Sequence, residues 1–187
     1  MPALDHFGLL APWYDRFIRP VYPARLAELL GLPCPGRLLD AGGGTGRVAR
    51  FLATQVDACV IADVSRGMLR VAQASAGSTA LCAESEHLPL AGESFERVIM
   101  VDALHHVADA AQTASELWRV LRPGGRLVIE EPDIRRLAVK GIALFEKLAL
   151  MRSHFLRPER MAALFASLGA QPAVHAEGHT VWIVVEK

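Results

Sequence analysis

From Gly36 onward, short apolar runs alternate with longer amphipathic segments. That alternation predicts βαβ units around a parallel sheet, because a strand covered on both faces reads as a near-continuous apolar run and a crossover helix as a 3.6-residue stripe. The expected strands are Arg37 to Ala41, Ala58 to Asp63, Thr79 to Ala83, Phe95 to Val101 and Arg126 to Glu131. Helices are expected between them over Gly46 to Thr54, Gly67 to Ala76 and Ala111 to Leu121. Arg122-Pro-Gly-Gly125 reads as the turn that delivers the fifth strand, Pro fixing one dihedral and Gly freeing the next. A long helix, Ile134 to Arg152, precedes a second at Pro158 to Leu168, with Pro at its first position and Gly169 at its stop. Two last strands, Gln171 to Ala176 and Thr180 to Glu186, flank Glu177-Gly178-His179, a link short enough for a hairpin that leaves the final strand antiparallel.

Composition narrows the possible partners. With 187 residues, 52% of them apolar, the chain buries one substantial core and is expected to form one domain. Twenty basic residues balance twenty acidic ones, so no global field draws the protein to nucleic acid or to an acidic membrane, and a small partner is expected. The opening stretch MPALDHFGLLAPWYDRF lacks a basic-then-apolar signal layout, and no later run approaches the roughly 20 apolar residues that span a bilayer. The expectation is a cytoplasmic protein without membrane insertion. Cys34, Cys59 and Cys82 are widely spaced and lie in or beside apolar segments, which suits buried thiols rather than disulfides or a metal site.

The chemistry concentrates where strands end. Leu39-Asp40-Ala41-Gly42-Gly43-Gly44-Thr45-Gly46 closes a strand and opens a helix, with glycine wherever bulk would keep a ligand off the backbone. Gly44-x-Gly46-x-x-Ala49 also satisfies the dinucleotide fingerprint. Asp40 separates the two ligand classes: an acid there holds a cationic amino group by a charge-assisted hydrogen bond and repels a pyrophosphate. Asp63, seventeen residues after Gly46, ends the second strand where a carboxylate accepts the hydroxyls of a ribose. Glu84 ends the third, where it can accept the exocyclic amine of an adenine. For each acid taken singly, the alternative is a solvated strand-end carboxylate. For Met68 it is an ordinary core position on an amphipathic helix.

In these ordered segments the sequence resembles the class I S-adenosylmethionine (SAM)-dependent methyltransferases, in particular the small-molecule branch that includes the ubiquinone and menaquinone C-methyltransferases. LLDAGGGTGRVARFL is similar to the family's first motif and IADVSRGMLRVAQ to its second. AESEHLPLAGESFERVIMVDALHHV resembles its adenine loop and fourth strand, and ELWRVLRPGGRLVIEEPD completes the run. The resemblance implies a three-layer, doubly wound, Rossmann-like α/β fold whose seven-stranded sheet has the order 3-2-1-4-5-7-6. It implies a SAM-binding core over 36–133, an N-terminal helical cap over 1–30, and substrate-side helices with a C-terminal hairpin over 134–187. The methionine moiety would be received by Asp40, Ala41, Gly42, Gly43, Gly44 and Gly46, the ribose by Asp63 with Val64 beside it, and the adenine amine by Glu84 with Ser85 nearby. Met68 would pack on the adenine face. Glu84 departs from the Asp common in the family.

Methyl transfer from a sulfonium needs an in-line acceptor held at contact distance in a dry site, and few catalytic side chains. The segment after the fourth strand faces that position in such folds, which names Asp102, His105 and His106. An imidazole can remove a proton from a phenol, thiol or acidic carbon; His106 is the first choice and His105 the second. Adjacent histidines on one helical turn point about 100° apart, so a structural role for one or both is the competing reading. No metal is expected, although Asp102 with Glu130 or Glu131 offers the oxygens a metal-assisted O-methyltransferase would use. A SAM-binding sensor or partner protein without catalysis is the other functional class. Ala11-Pro-Trp-Tyr-Asp15 resembles a stretch that often opens the family, where the tyrosine lies over bound SAM, so Tyr14 is the candidate cover; Phe7, Trp13 and Phe17 read equally as core-capping aromatics. The expected ligands are SAM and a small, rather apolar methyl acceptor.

Overall fold

The computed structural model describes residues 22–73, 78–148 and 153–187. Seven strands form one sheet: β1 (Arg37–Ala41), β2 (Ala58–Asp63), β3 (Ser78–Cys82), β4 (Phe95–Val101), β5 (Leu121–Pro132), β6 (Ala173–Glu177) and β7 (Thr180–Glu186). Their order is 3-2-1-4-5-7-6, with β1 to β5 parallel and both β5–β7 and β6–β7 antiparallel, as the resemblance implied.

Strand period divides the core into two layers. Leu39, Val98, Met100, Leu127 and Ile129 point to one face, where they meet Leu117 and Val120 of α4 (Ala110–Val120) and Met161 and Phe165 of α6 (Pro158–Ala166); here α4 and α6 count all helices in chain order. Their neighbours Leu38, Ile99 and Val128 point the other way, to α1 (Pro23–Leu30), α2 (Ala49–Leu52) and α3 (Arg66–Gln73) through Leu26, Leu30, Leu52, Leu69 and Ala72. Each Leu, Ile, Val, Met or Phe among them contributes about 1.5–3 kcal/mol by leaving water. Strands that alternate between two buried faces cannot slip by one residue without exchanging layers, which fixes the register that holds their carboxyl ends side by side.

The element bounds differ from expectation where backbone detail overrides pattern. Gly46 has φ of +72°, outside the right-handed helical region, so the helix expected from Gly46 begins only at Ala49 and ends in a 3₁₀ turn, Ala53–Gln55. The turn at 122–125 is drawn into β5 as a bulge between the pairs Phe95↔Leu121 and Arg97↔Arg126. Asp133 accepts the Arg135 N–H at 3.0 Å and forms a turn, so α5 (Leu137–Leu148) starts three residues later than its apolar pattern. Residues 149–152 of that expected helix and residues 1–21 of the cap expected over 1–30, Tyr14 among them, lie outside the described residues. Glu177 pairs with Thr180, leaving a two-residue hairpin loop in which Gly178 takes φ of +57°. Among the described residues no helix is long and apolar enough to cross a membrane.

Candidate functional site

The sheet order reverses between β1 and β4, and a crevice opens outside the strand carboxyl ends at such a point. A cavity of about 800 Å³ lies there, lined by the ends of β1, β2 and β4 and by the segments following β3 and β4. Its size is that of a small-molecule site. The loop after β1 is held by Ala62 O, which accepts from Gly42 N at 2.7 Å and Gly43 N at 3.2 Å. Asp63 accepts Gly44 N on one oxygen at 2.9 Å and Ser65 N on the other at 2.8 Å, fixing the β2 carboxylate at the rim. Gly42 adopts φ of +68°, and a Cβ there would stand 2.6 Å from that of Ala103. A Cβ on Gly43 would stand 2.6 Å from Asp40 Cγ. Only glycine leaves the backbone open beside the Asp40 carboxyl.

Asp40 is buried, and its Oδ2 has no hydrogen-bond partner among the described residues. Burial pushes its pKa up to about 7; Arg47 opposes that shift and the Asp63 charge adds to it. An unpaired carboxyl oxygen on the wall of a cavity suits a ligand that brings a donor or a positive charge. Across the cavity, Arg47 donates to Asp102 Oδ2 at 2.5 Å. Asp102 has φ of +50°, a conformation that costs energy for a non-glycine residue and is held by its N–H on Glu130 O at 2.9 Å. Behind it, Trp182 Nε1 donates to Glu130 Oε2 at 2.6 Å, and burial raises the Glu130 pKa to about 8, with the Trp182 hydrogen bond opposing.

The two histidines separate. His106 lines the cavity, with Ser153 Oγ 3.3 Å from its Nδ1. His105 is buried with its Nδ1 2.5 Å from Glu131 Oε2, its ring stacked on Phe155 at 4.2 Å, and it is not among the cavity-lining residues. His105, expected as the second choice of base, thus lies behind the cavity wall, where it braces the turn that carries His106. Glu131 Oε1 completes that brace by accepting Ala103 N at 3.0 Å and Leu104 N at 2.7 Å. Of the oxygens considered for a metal, both of Glu131 are taken by this turn and Glu130 Oε2 by Trp182, while Glu130 Oε1 is buried without a partner; no group of three or more His, Cys, Asp or Glu side chains converges among the described residues.

Asp40, Gly42, Gly43, Gly44, Asp63, Val64, Met68, Glu84, Ser85, Asp102 and His106 all border the cavity. Met68 is nonetheless buried, so it serves the α3 core and the cavity wall together. Val64 stands 61% exposed at the rim. Glu84 lies 3.6 Å from His87 Nδ1. Ala41 and Gly46 do not line the cavity: Ala41 belongs to the core, and Gly46 lets its loop lie against β2 and α3, since a Cβ there would stand 2.8 Å from Ile61 Cδ1 and 3.5 Å from Ala72 Cβ. Of the lining residues that the sequence reading did not name, three are charged: Arg47, Glu86 and Asp109. Arg47 directly follows the last loop glycine, which was the available signal. Glu86 accepts Ala108 N at 2.8 Å, and Asp109 caps α4 through Ala111 N and Gln112 N; both acids meet the site through contacts that spacing does not reveal.

A family model described as a methyltransferase domain matches residues 39–129. The chain is 38% identical over 119 residues to the methyltransferase GfsG of Streptomyces halstedii, covering 59% of this chain and 43% of that protein. It is 36% identical over 139 residues to the ubiquinone/menaquinone biosynthesis C-methyltransferase UbiE of Syntrophotalea carbinolica, covering 67% and 59%. The chain thus spans about half the length of these curated relatives. In fold it is similar to a SAM-dependent methyltransferase from Thermotoga maritima described as a possible histamine N-methyltransferase, with a TM-score of 0.78 at 24% identity over 97% of this chain and 98% of that one.

Proposed function

We propose, from the premise that this chain carries a domain of the class I SAM-dependent methyltransferase family, that it is an enzyme transferring the methyl group of SAM to a small, rather apolar molecule. The observation that carries this reading is the buried, unpartnered Oδ2 of Asp40 beside an open glycine backbone, on the wall of a cavity that Asp63 and Glu84 also border. The residues fit the group: Asp40 for the methionine ammonium, Asp63 for the ribose hydroxyls, Glu84 for the adenine amine, and Val64 with Met68 for its faces. Both Asp63 oxygens are already oriented by backbone N–H groups, so they need no reorganisation to accept hydroxyls.

When bound, SAM supplies an electrophilic methyl on a sulfonium. The chain's own residues position and deprotonate the acceptor. The turn braced by Glu131 and His105 presents His106 to the cavity, and Ser153 orients its ring through Nδ1, directing Nε2 to take the acceptor's proton. Apolar walls from Val101, Ala103 and Val107 keep water from the reacting atoms. Tyr14 is proposed as a cover for this site, with deletion of residues 1–18 predicted to weaken SAM binding and abolish transfer while cooperative unfolding persists. Incubation with methyl-labelled SAM and a cell extract tests the function as a whole: a labelled small molecule supports it. Tight SAM binding with no labelled product from extracts or from a panel of phenols, quinols, thiols and amines would instead favour a sensor.

A further inference from the structure

The chain is neutral overall, with twenty basic and twenty acidic residues, yet its charge is not spread evenly. Where α5 begins, Arg135, Arg136 and Lys140 are exposed, and Arg135 reaches α6 by pairing with Glu159 at 3.1 Å, beside the exposed Arg157 and Arg160. Against these five cations stand two acids, Glu159 and the buried Asp133, which serves Arg135 at 2.9 Å and Arg136 at 3.8 Å. The other charges in the sequence of α5, Glu146 and Lys147, cancel. The same helix turns apolar residues outward. Leu137 is 83% exposed and Leu144 60%, and their spacing of seven puts them on one face. Lys140 and Gly141 lie between them, both exposed, and a Cβ on Gly141 would meet nothing within 4 Å. Val139, on the opposite side, is buried and seats the helix.

We propose that the Leu137–Leu144 face of α5 docks on an anionic lipid bilayer, the two leucines entering the headgroup boundary while Arg136 and Lys140 meet lipid phosphates. Size selects the bilayer over a protein. Specific protein interfaces bury about 1,200–2,000 Å² around a packed apolar centre, which two leucines on one stripe do not supply. An interfacial helix needs only an apolar stripe with cations beside it, and local positive charge draws it to anionic headgroups although the whole chain is neutral. The face is close to the cavity: α5 follows the carboxyl end of β5, and Ser153, soon after the helix ends, stands 3.3 Å from His106 Nδ1. A docked chain therefore opens its site near the phase that dissolves an apolar acceptor. That consequence rests on the proposed function, whereas the docking itself does not.

Cosedimentation of the intact chain with vesicles of phosphatidylcholine alone, and of equimolar phosphatidylcholine and phosphatidylglycerol, tests this. At low salt, binding to the anionic vesicles is expected to be about tenfold or more stronger than to the zwitterionic ones, and to weaken as salt is raised. Leu137→Glu with Leu144→Glu, both at exposed positions, is expected to lower that binding about tenfold or more while cooperative thermal unfolding persists. Gly141→Leu, which extends the stripe into open space, is expected to raise it about threefold or more, a gain that misfolding at the glutamate positions cannot imitate. Equal binding to both vesicles, binding to neither, or leucine variants that bind as the unaltered chain does would overturn the proposal. A dimer in analytical ultracentrifugation that the double variant abolishes, without vesicle binding, would assign the face to a second copy instead and overturn it too. SAM binding measured without vesicles is read separately, so the methyltransferase reading survives or fails on its own.

Discussion

The two halves of the cavity are built by different means. On the β1–β2 side, the backbone hydrogen bonds that shape the loop are local to one crossover: Ala62 holds the glycine loop, and Asp63 holds Gly44 and Ser65. On the β4–β5 side, the site depends on groups brought from far along the chain. Glu131 braces Ala103, Leu104 and His105, Trp182 engages Glu130, and Asp102 sits at positive φ between Arg47 and the Glu130 carbonyl. The first half recognises by backbone geometry that glycine spacing encodes. The second holds His106, the proposed base, on a network whose members come from distant parts of the chain, so it is the half where one substitution disturbs many contacts.

The largest effect should follow from breaking that network. Glu131→Ala leaves two N–H groups and the His105 ring without their acceptor in a buried place, and should cost about 3–5 kcal/mol of stability in denaturant unfolding. Glu131→Gln keeps an accepting oxygen and should cost distinctly less. Equal losses would mean that the charge, not the brace, matters. Next comes His106→Ala, expected to lower turnover roughly 10²-fold or more while SAM affinity changes little. An earlier melting transition with normal turnover would assign this histidine to structure alone.

On the other side, Asp63→Ala should weaken SAM binding by about 1–3 kcal/mol, because the ribose hydroxyls lose a charged acceptor. The smallest effect is on the pH dependence of stability without ligand. Asp40 holds its proton to about pH 7 and Glu130 to about pH 8 in the folded chain, both above their unfolded values. The folded state therefore binds more protons through this window, and stability falls as pH rises from about 4.5 to about 8. Asp40→Asn and Glu130→Gln should each flatten that decline, measured by denaturant titration at either end of the window. A decline that survives both substitutions would place its origin elsewhere.

The same division governs what could be read from the chain alone. β1, β2, β4 and β7 fall where the apolar runs place them, since a strand buried on two faces leaves an unbroken apolar signature. The helix after the loop starts late because Gly46 takes a dihedral that a helical stripe does not reveal. In the cavity lining, Asp40, Asp63 and glycines 42 to 44 were legible because one crossover sets their spacing. His105 and His106 were not separable, because the carboxylate that claims His105 lies on β5, 26 residues away. Arg47 was overlooked although it adjoins the loop, since its role becomes visible only when β4 delivers Asp102 to meet it.

The central claim is that the cavity takes SAM, and calorimetry of the intact chain with SAM, S-adenosylhomocysteine and NAD tests it most directly. The account predicts saturable binding of SAM and S-adenosylhomocysteine, weakened in folded Asp63→Ala, with none for NAD, whose pyrophosphate would face Asp40 and Asp63. Binding of NAD in preference to SAM, or SAM affinity unchanged in a folded Asp63→Ala protein, would contradict it.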